Sequence, residues 1–333
     1  MRLAIFLSIL LASAISNAAD LPIRFALDWR FEGPAAPYFV AIDKGYYKAE
    51  GLNVTVDPGS GSVEGINRVA SGAYEVGFAD INSLVKYRDN PSNLPVMAIM
   101  MVYDTPAFSI VTLKKTGIAR PKDLEGRVLG APAADGAYAQ WPIFVEANKI
   151  DAAKVKIENV GFPVREPMLA QGRVDAIAGF WFSSYMNLKA NGVAPEDIVV
   201  LLMRDYGVDL YGNAIVANPD FMRLSPKAAA GFVRATIRGI QDTLRDPEGA
   251  IDSLMKRNAI AKREVELERL KLALAKNFVT PDVTKNGLGA VDPKRLERSI
   301  EQIGLTFHYS NKPKPGDIFT ARFLPPKAER LAK

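Results

Sequence analysis

One order recurs along most of this chain: a short apolar run, a polar loop, then a stretch with helical spacing. Apolar runs fall at 23–27, 52–57, 75–79 and 96–102, and again at 127–130, 155–160 and 175–179, with further runs at 108–113, 198–202 and 211–217. Short apolar runs bounded by Gly, Pro or Asp read as strands, and helices between them make parallel pairings. Such a chain folds as α/β, each sheet mostly parallel and flanked by helices. The units form two similar groups, and beyond Pro219 the pattern turns almost wholly helical. Two lobes follow: 20–108 plus 215–333, and 109–214. The chain crosses between them near 106–113 and 211–217, and two crossings make a hinge about which a cleft can close.

Net charge is +5 with no run of five Lys/Arg, so the basic excess reads as surface tuning and nucleic acid is not an expected partner. Met1-Arg2, an apolar stretch over 3–15 and small residues at 16–19 read as a signal peptide, 1–19, cleaved on export to the periplasm. The apolar stretch is too short to span a membrane. Cysteine is absent, which removes thiol nucleophiles, Fe–S clusters and Cys-based zinc.

The single histidine, His308, stands in a tail segment, and no G-x-S-x-G, P-loop or H-E-x-x-H motif occurs. Asp80, Asp104 and Asp135 are too scattered for a metal site. No catalytic residue, metal or cofactor is expected. A different set stands out: loops that follow strands and precede helices. They carry Trp29 and Phe31, Ser60 and Ser62, Asp80 and Asn82, Tyr103 and Asp104, Asp135 and Tyr138, and Phe180 and Trp181. In open α/β sheets such loops build ligand sites: rings offer apolar faces, polar groups fix orientation. The expected ligand-binding set is Trp29, Tyr38, Ser60, Asp80, Asn82, Tyr103, Asp135, Phe180 and Trp181. Trp29 and Trp181 would wall the cleft, one from each lobe; Asp80 and Asp135 would accept ligand N–H groups. Trp141, on a helix, is expected in the core.

Several pieces resemble a known family. Leu27-Asp28-Trp29, then Gly45 to Val54, "GYYKAEGLNV", then "SGAYEVGFAD" at 71–80, "PKDLEGRVLGAP" at 121–132, "QGRVDAIAG" at 171–179 and "FTARFLP" at 319–325 are similar to the NMT1/THI5-like substrate-binding proteins of ABC importers. The resemblance implies a two-lobed type II periplasmic binding protein fold with a helical C-terminal region. It also implies a monomer that captures a small solute for an inner-membrane permease. The family includes binders of thiamine-pyrimidine precursors, alkanesulfonates, taurine and nitrate. Many relatives carry Ser or Thr after the lobe-two proline, where this chain reads Ala133-Ala134-Asp135-Gly136. A carboxylate there, with Asp28, Glu32, Asp80 and Asp104, favours an aromatic nitrogen heterocycle over a sulfonate or nitrate. Pyrimidine-synthase enzymes of the same superfamily look Cys- and His-equipped, unlike this chain. An anion binder and a synthase remain the rival readings.

Overall fold

The computed structural model describes residues 20–332; the leader expected over 1–19 lies outside them. All ten strands expected from the sequence form, each within two residues of its expected limits. They are β1 Leu21–Ala26, β2 Leu52–Asp57, β3 Val76–Asp80, β4 Met97–Met101, β5 Phe108–Leu113, β6 Val128–Ala131, β7 Lys156–Asn159, β8 Ala176–Phe180, β9 Ile198–Leu202 and β10 Asn213–Ala217. They make two five-stranded sheets, ordered β2-β1-β3-β10-β4 and β7-β6-β8-β5-β9.

In each sheet one strand runs against the other four: β10 is antiparallel to β3 and β4, and β5 to β8 and β9. That strand is in each case the first one laid down after the chain changes sheets. The linking segments are 102–107 and 203–212. Central strands β3, β5 and β10 are buried along their whole length, as strands covered on both faces must be. Edge strands β2 and β7 expose polar residues, Asn53 and Thr55 on the first and Lys156 on the second.

Helices α1 Ala36–Asp43, α2 Tyr46–Ala49, α3 Ser62–Ala70 and α4 Ile81–Arg88 flank the first sheet; α5 Trp141–Asn148, α6 Arg165–Ala170 and α7 Trp181–Ala190 flank the second. Helix α1 buries Tyr38, Phe39, Val40 and Ala41 in succession, so it has no polar face until its last turn. It is sandwiched between sheet and C-terminal helices. Trp141 is buried in the core, as expected. His308 is exposed.

The C-terminal region supplies α8 Pro219–Leu224, α9 Pro226–Arg245, α10 Pro247–Met255, α11 Arg263–Ala273, α12 Pro281–Asn286, α13 Pro293–Gly304 and α14 Pro315–Ile318. Helix α12 follows a π turn over Leu274–Phe278; neither has a clear periodic signal. The tail covers the β4 edge: the Thr320 N–H donates to the Ala98 carbonyl at 3.0 Å. Arg295 on α13 clasps both linking segments, donating to the carbonyls of Asp104 (3.0 Å) and Leu210 (3.2 Å), its guanidinium 3.9 Å from the Tyr211 ring centroid.

Candidate ligand-binding site

A cavity with about 620 Å³ of atom-free space, mouth included, lies between the two sheets. The first lobe lines it with Asp28, Trp29, Glu32, Tyr38, Ser62 and Tyr103; the second with Asp135, Phe162, Arg165, Phe180, Phe182 and Ser183. The loops responsible follow the carboxyl ends of β1, β2, β6, β7 and β8, where the strand-loop-helix order places ligand-facing residues.

Of the residues expected at the site, Trp29, Tyr38, Tyr103, Asp135 and Phe180 line this cavity; Ser60, Asp80, Asn82 and Trp181 do not. Each of the four has a local reason. Phe180 ends β8 and Trp181 opens α7 with no loop between, and only Phe180 lines the cavity. The Trp181 indole instead donates to Asn277 Oδ1 at 3.2 Å. Ser60 is exposed, its N–H bonded to Glu64 at 2.7 Å, and leaves the lining to Gly61 and Ser62. Asp80 is the N-cap of α4. Its carboxylate accepts from the Asn82 and Ser83 N–H groups, the Asn82 amide, the Ser83 hydroxyl and the Gln140 amide. Asn82 is drawn into the same cap and onto the Tyr211 carbonyl.

The aromatic partner of Trp29 across the cleft is Phe162, edge-on at 4.7 Å between centroids. Phe162 follows an edge strand and gave no signal beyond a loop. Arg165 was also missed. It is 1% exposed and commits all five N–H donors. Nε and Nη2 reach Glu166 (2.9 and 2.7 Å), Nη1 reaches Asp135 (2.9 Å) and the Ala178 carbonyl (3.2 Å), and Nη2 also reaches Ser184 (3.3 Å). Burial opposes its charge, but Glu166 and Asp135 outweigh that and hold it protonated. Gly179 is its sequence trace: a Cβ there would lie 2.8 Å from Arg165 Nη1. Asp135 is thus neutralised by Arg165 and is not the free carboxylate the sequence suggested.

Asp28 is. It is buried, accepts from the Ser62 hydroxyl (2.8 Å) and the Asn213 amide (2.6 Å), and pairs with no cation among the described residues. Burial raises its carboxyl to about 7, against the pull of those two hydrogen bonds. Of the three carboxylates lining the cavity, Asp135 faces Arg165 and Glu32 faces Arg269 (3.2 Å). Two other polar atoms are unspent: the Trp29 indole N–H and the Tyr38 hydroxyl are buried without a hydrogen-bond partner among the described residues. Native interiors seldom leave such groups orphaned.

The lobes meet closely beside the cavity. Lys86 Nζ donates to the Ala139 carbonyl at 2.5 Å and Gln140 reaches Asp80 at 3.1 Å. Gly61, at φ +109°, lies where a Cβ would be 2.3 Å from the Ala134 carbonyl oxygen of the other lobe. Gly61→Ala is therefore expected to hold the lobes apart and weaken binding of any cleft ligand about tenfold or more, from roughly 1–3 kcal/mol of strain. Gly72→Ala is the control: φ is +76° there too, but nothing lies within 4 Å. Titration calorimetry on both variants separates lost closure from backbone strain alone.

Comparisons with known proteins agree with this geometry. The NMT1/THI5-like family model matches residues 34–250. The chain is 28% identical over 277 residues to the formylaminopyrimidine-binding protein of Halalkalibacterium halodurans, covering 80% of this chain and 82% of that one. It is 27% identical over 294 residues to the riboflavin-binding protein RibY of Chloroflexus aurantiacus, covering 87% and 82%. Fungal 4-amino-5-hydroxymethyl-2-methylpyrimidine phosphate synthases also match, at lower identity. Among solved structures, the alkanesulfonate-binding protein SsuA of Xanthomonas axonopodis superposes with a TM-score of 0.69 at 13% identity, over 91% of this chain and all of that one. The fold is accordingly that of the two-lobed periplasmic binding proteins, and the chain belongs to the NMT1/THI5-like family.

Proposed function

We propose that this protein is the solute receptor of an ABC importer. It closes its two lobes around a planar nitrogen heterocycle of the aminopyrimidine class and delivers it to a membrane permease. One observation carries the reading: the cavity offers an acceptor (Asp28, bonded to Ser62 and Asn213 but facing no cation among the described residues), together with a donor (Trp29 Nε1) and a hydroxyl that can do either (Tyr38), these two without a hydrogen-bond partner among the described residues. Such a set suits a ligand edge carrying both N–H donors and ring acceptors. Phe162, Phe180 and Tyr103 add the apolar faces such a ring stacks on.

An oxyanion would find the opposite. The buried guanidinium lining the cavity, Arg165, has every donor committed, and Asp28 would face the anion directly. Relatives bearing the names formylaminopyrimidine-binding and riboflavin-binding protein support a heterocycle over a sulfonate or nitrate. Binding without a covalent step is the reading for the same cavity, since the chain has no cysteine and its one histidine does not line it. The leader over 1–19 would carry the protein to the periplasm. The segments 102–107 and 203–212, beside the crossings expected near 106–113 and 211–217, would serve as the hinge between the lobe built on the first sheet and the lobe built on the second. Among the described residues no helix is long and apolar enough to cross a membrane.

The test is Trp29→Ala. Losing the indole N–H and a stacking face is expected to weaken binding of an aminopyrimidine by roughly 2–4 kcal/mol, 30-fold or more, with the melting temperature of the free protein little changed. Titration calorimetry showing unchanged affinity would remove Trp29 from the site.

A further inference from the structure

Four strands end the two sheets, and three of them are guarded. On the first sheet β2 exposes Asn53 and Thr55, and β4 is covered by later segments, Ala98 bridging to Phe319 and Met101 to Gly289. On the second sheet β7 is only four residues long and carries an exposed Lys156, paired with Glu158 at 3.3 Å. Charge, short length and a covering segment are the ordinary ways an edge avoids pairing with another chain. The fourth edge, β9, has none of them. It reads Ile-Val-Val-Leu-Leu over 198–202, with no charge and no proline, and four of its five residues are half-buried. Its inner side pairs with β5 along all five residues without a bulge. Among the described residues no strand or bridge takes its outer side. A row of backbone N–H and C=O groups is left open there, between apolar side chains. The flanks are charged in opposite senses: Glu196 and Asp197 precede the strand and Arg204 follows it, all exposed. The carboxylate beside Arg204 is its chain neighbour Asp205, at 3.9 Å and itself well exposed.

We propose that β9 pairs with β9 of a second copy of this chain, antiparallel, about a two-fold axis at Val200. Such an axis makes the same patch serve on both copies. It sets Ile198 opposite Leu202 and brings Glu196 of each copy to Arg204 of the other, so two opposite-charge pairs flank the junction. Parallel pairing in register would instead set Glu196 beside Glu196 and Arg204 beside Arg204. The two outer sheets become one sheet of ten strands, five from each copy. Strand β9 lines no part of the ligand cavity, so the pairing leaves the wall of each cleft unchanged. The chain then associates where the family resemblance implies a monomer. A five-residue edge is a smaller patch than a permanent dimer buries, so the pairing is weak, with a dissociation constant on the order of 10–100 μM.

Sedimentation velocity of the full chain from about 5 to 500 μM is expected to show monomer giving way to dimer. Glu196→Lys should weaken the dimer about tenfold, since each pair becomes a repulsion, and adding Arg204→Glu should restore it. Both residues are exposed, so neither change burdens the fold. The register has its own test, because the chain lacks cysteine. Directly opposed residues of paired strands lie within disulfide reach. Oxidation of Val200→Cys should therefore yield a covalent dimer, while Lys156→Cys on the guarded β7 edge should not. A chain that stays monomeric over the whole range, or a dimer that Val200→Cys fails to capture, overturns the proposal. No ligand is added, so the outcome stands apart from whether the cavity takes an aminopyrimidine.

Discussion

Arg165→Met is expected to cost about 3–5 kcal/mol of stability, the usual penalty for leaving buried partners of a lost charge uncompensated. Asp135 and Glu166 are the partners, 2.9 and 2.7 Å from the guanidinium, with side chains only 7% and 4% exposed. Methionine fills much of the space but answers neither carboxylate. For a chain of this size the loss lowers the melting temperature by roughly 10 °C. A second variant checks the cause: adding Glu166→Gln to Arg165→Met removes one stranded charge and should recover part of the loss. Calorimetric unfolding within about 1 kcal/mol of wild type would mean that water reaches these carboxylates and that the lobe-two floor is looser than described.

Asp28 gives the second large effect, in the pH dependence. Its carboxyl is raised from 3.8 to about 7 by burial. Between those values the unfolded chain has lost the proton and the folded protein keeps it. The folded state thus binds more protons, and stability falls as pH rises from about 4 to 7, then levels. A shift of that size corresponds to about 4 kcal/mol over the window. Glu266, also raised by burial, slopes the same way. Asp43, held well below the usual carboxylate range by Arg257 and Lys256 despite some burial, has the opposite slope and loses its contribution only as pH falls below about 4. Asp28→Asn isolates the one group: the difference between wild-type and variant unfolding free energies should change by several kcal/mol between pH 4 and 8. Parallel profiles would show that Asp28 ionises normally in the folded protein. A ligand that donates N–H groups to Asp28 favours its ionised form, so binding near pH 6 should release protons.

The strands were legible because buried parallel strands are short unbroken apolar runs, and Gly, Pro or Asp punctuates nearly every one. What the pattern could not show is which sheet a strand joins: β5 and β10 read like their neighbours, yet each runs against the rest of its sheet. In the site, the Asp28-Trp29 loop and Tyr38 were readable as polar and aromatic groups between a strand and a helix. Asp80 was misread because an Asp before a helix is as good a cap as a ligand contact, and here the cap wins. Trp181 was misread by one residue of direction at a strand-to-helix junction. Arg165 sits in Val-Arg-Glu-Pro-Met, which reads as the polar start of a surface helix. Its burial is created by Asp135, Ala178 and Ser184, brought from elsewhere in the chain, and no local signal carries that.

The most direct test of cleft capture is a titration of the purified protein against a panel of amino-substituted pyrimidines and flavins, and against alkanesulfonates and nitrate, followed by tryptophan fluorescence and calorimetry. The account predicts that a heterocycle saturates at one per chain and perturbs the emission, that Trp29→Ala weakens this binding by about 30-fold or more, and that the anions do not compete. Saturable binding of a sulfonate or nitrate at one per chain, with no heterocycle binding tighter than about 1 mM, would contradict it.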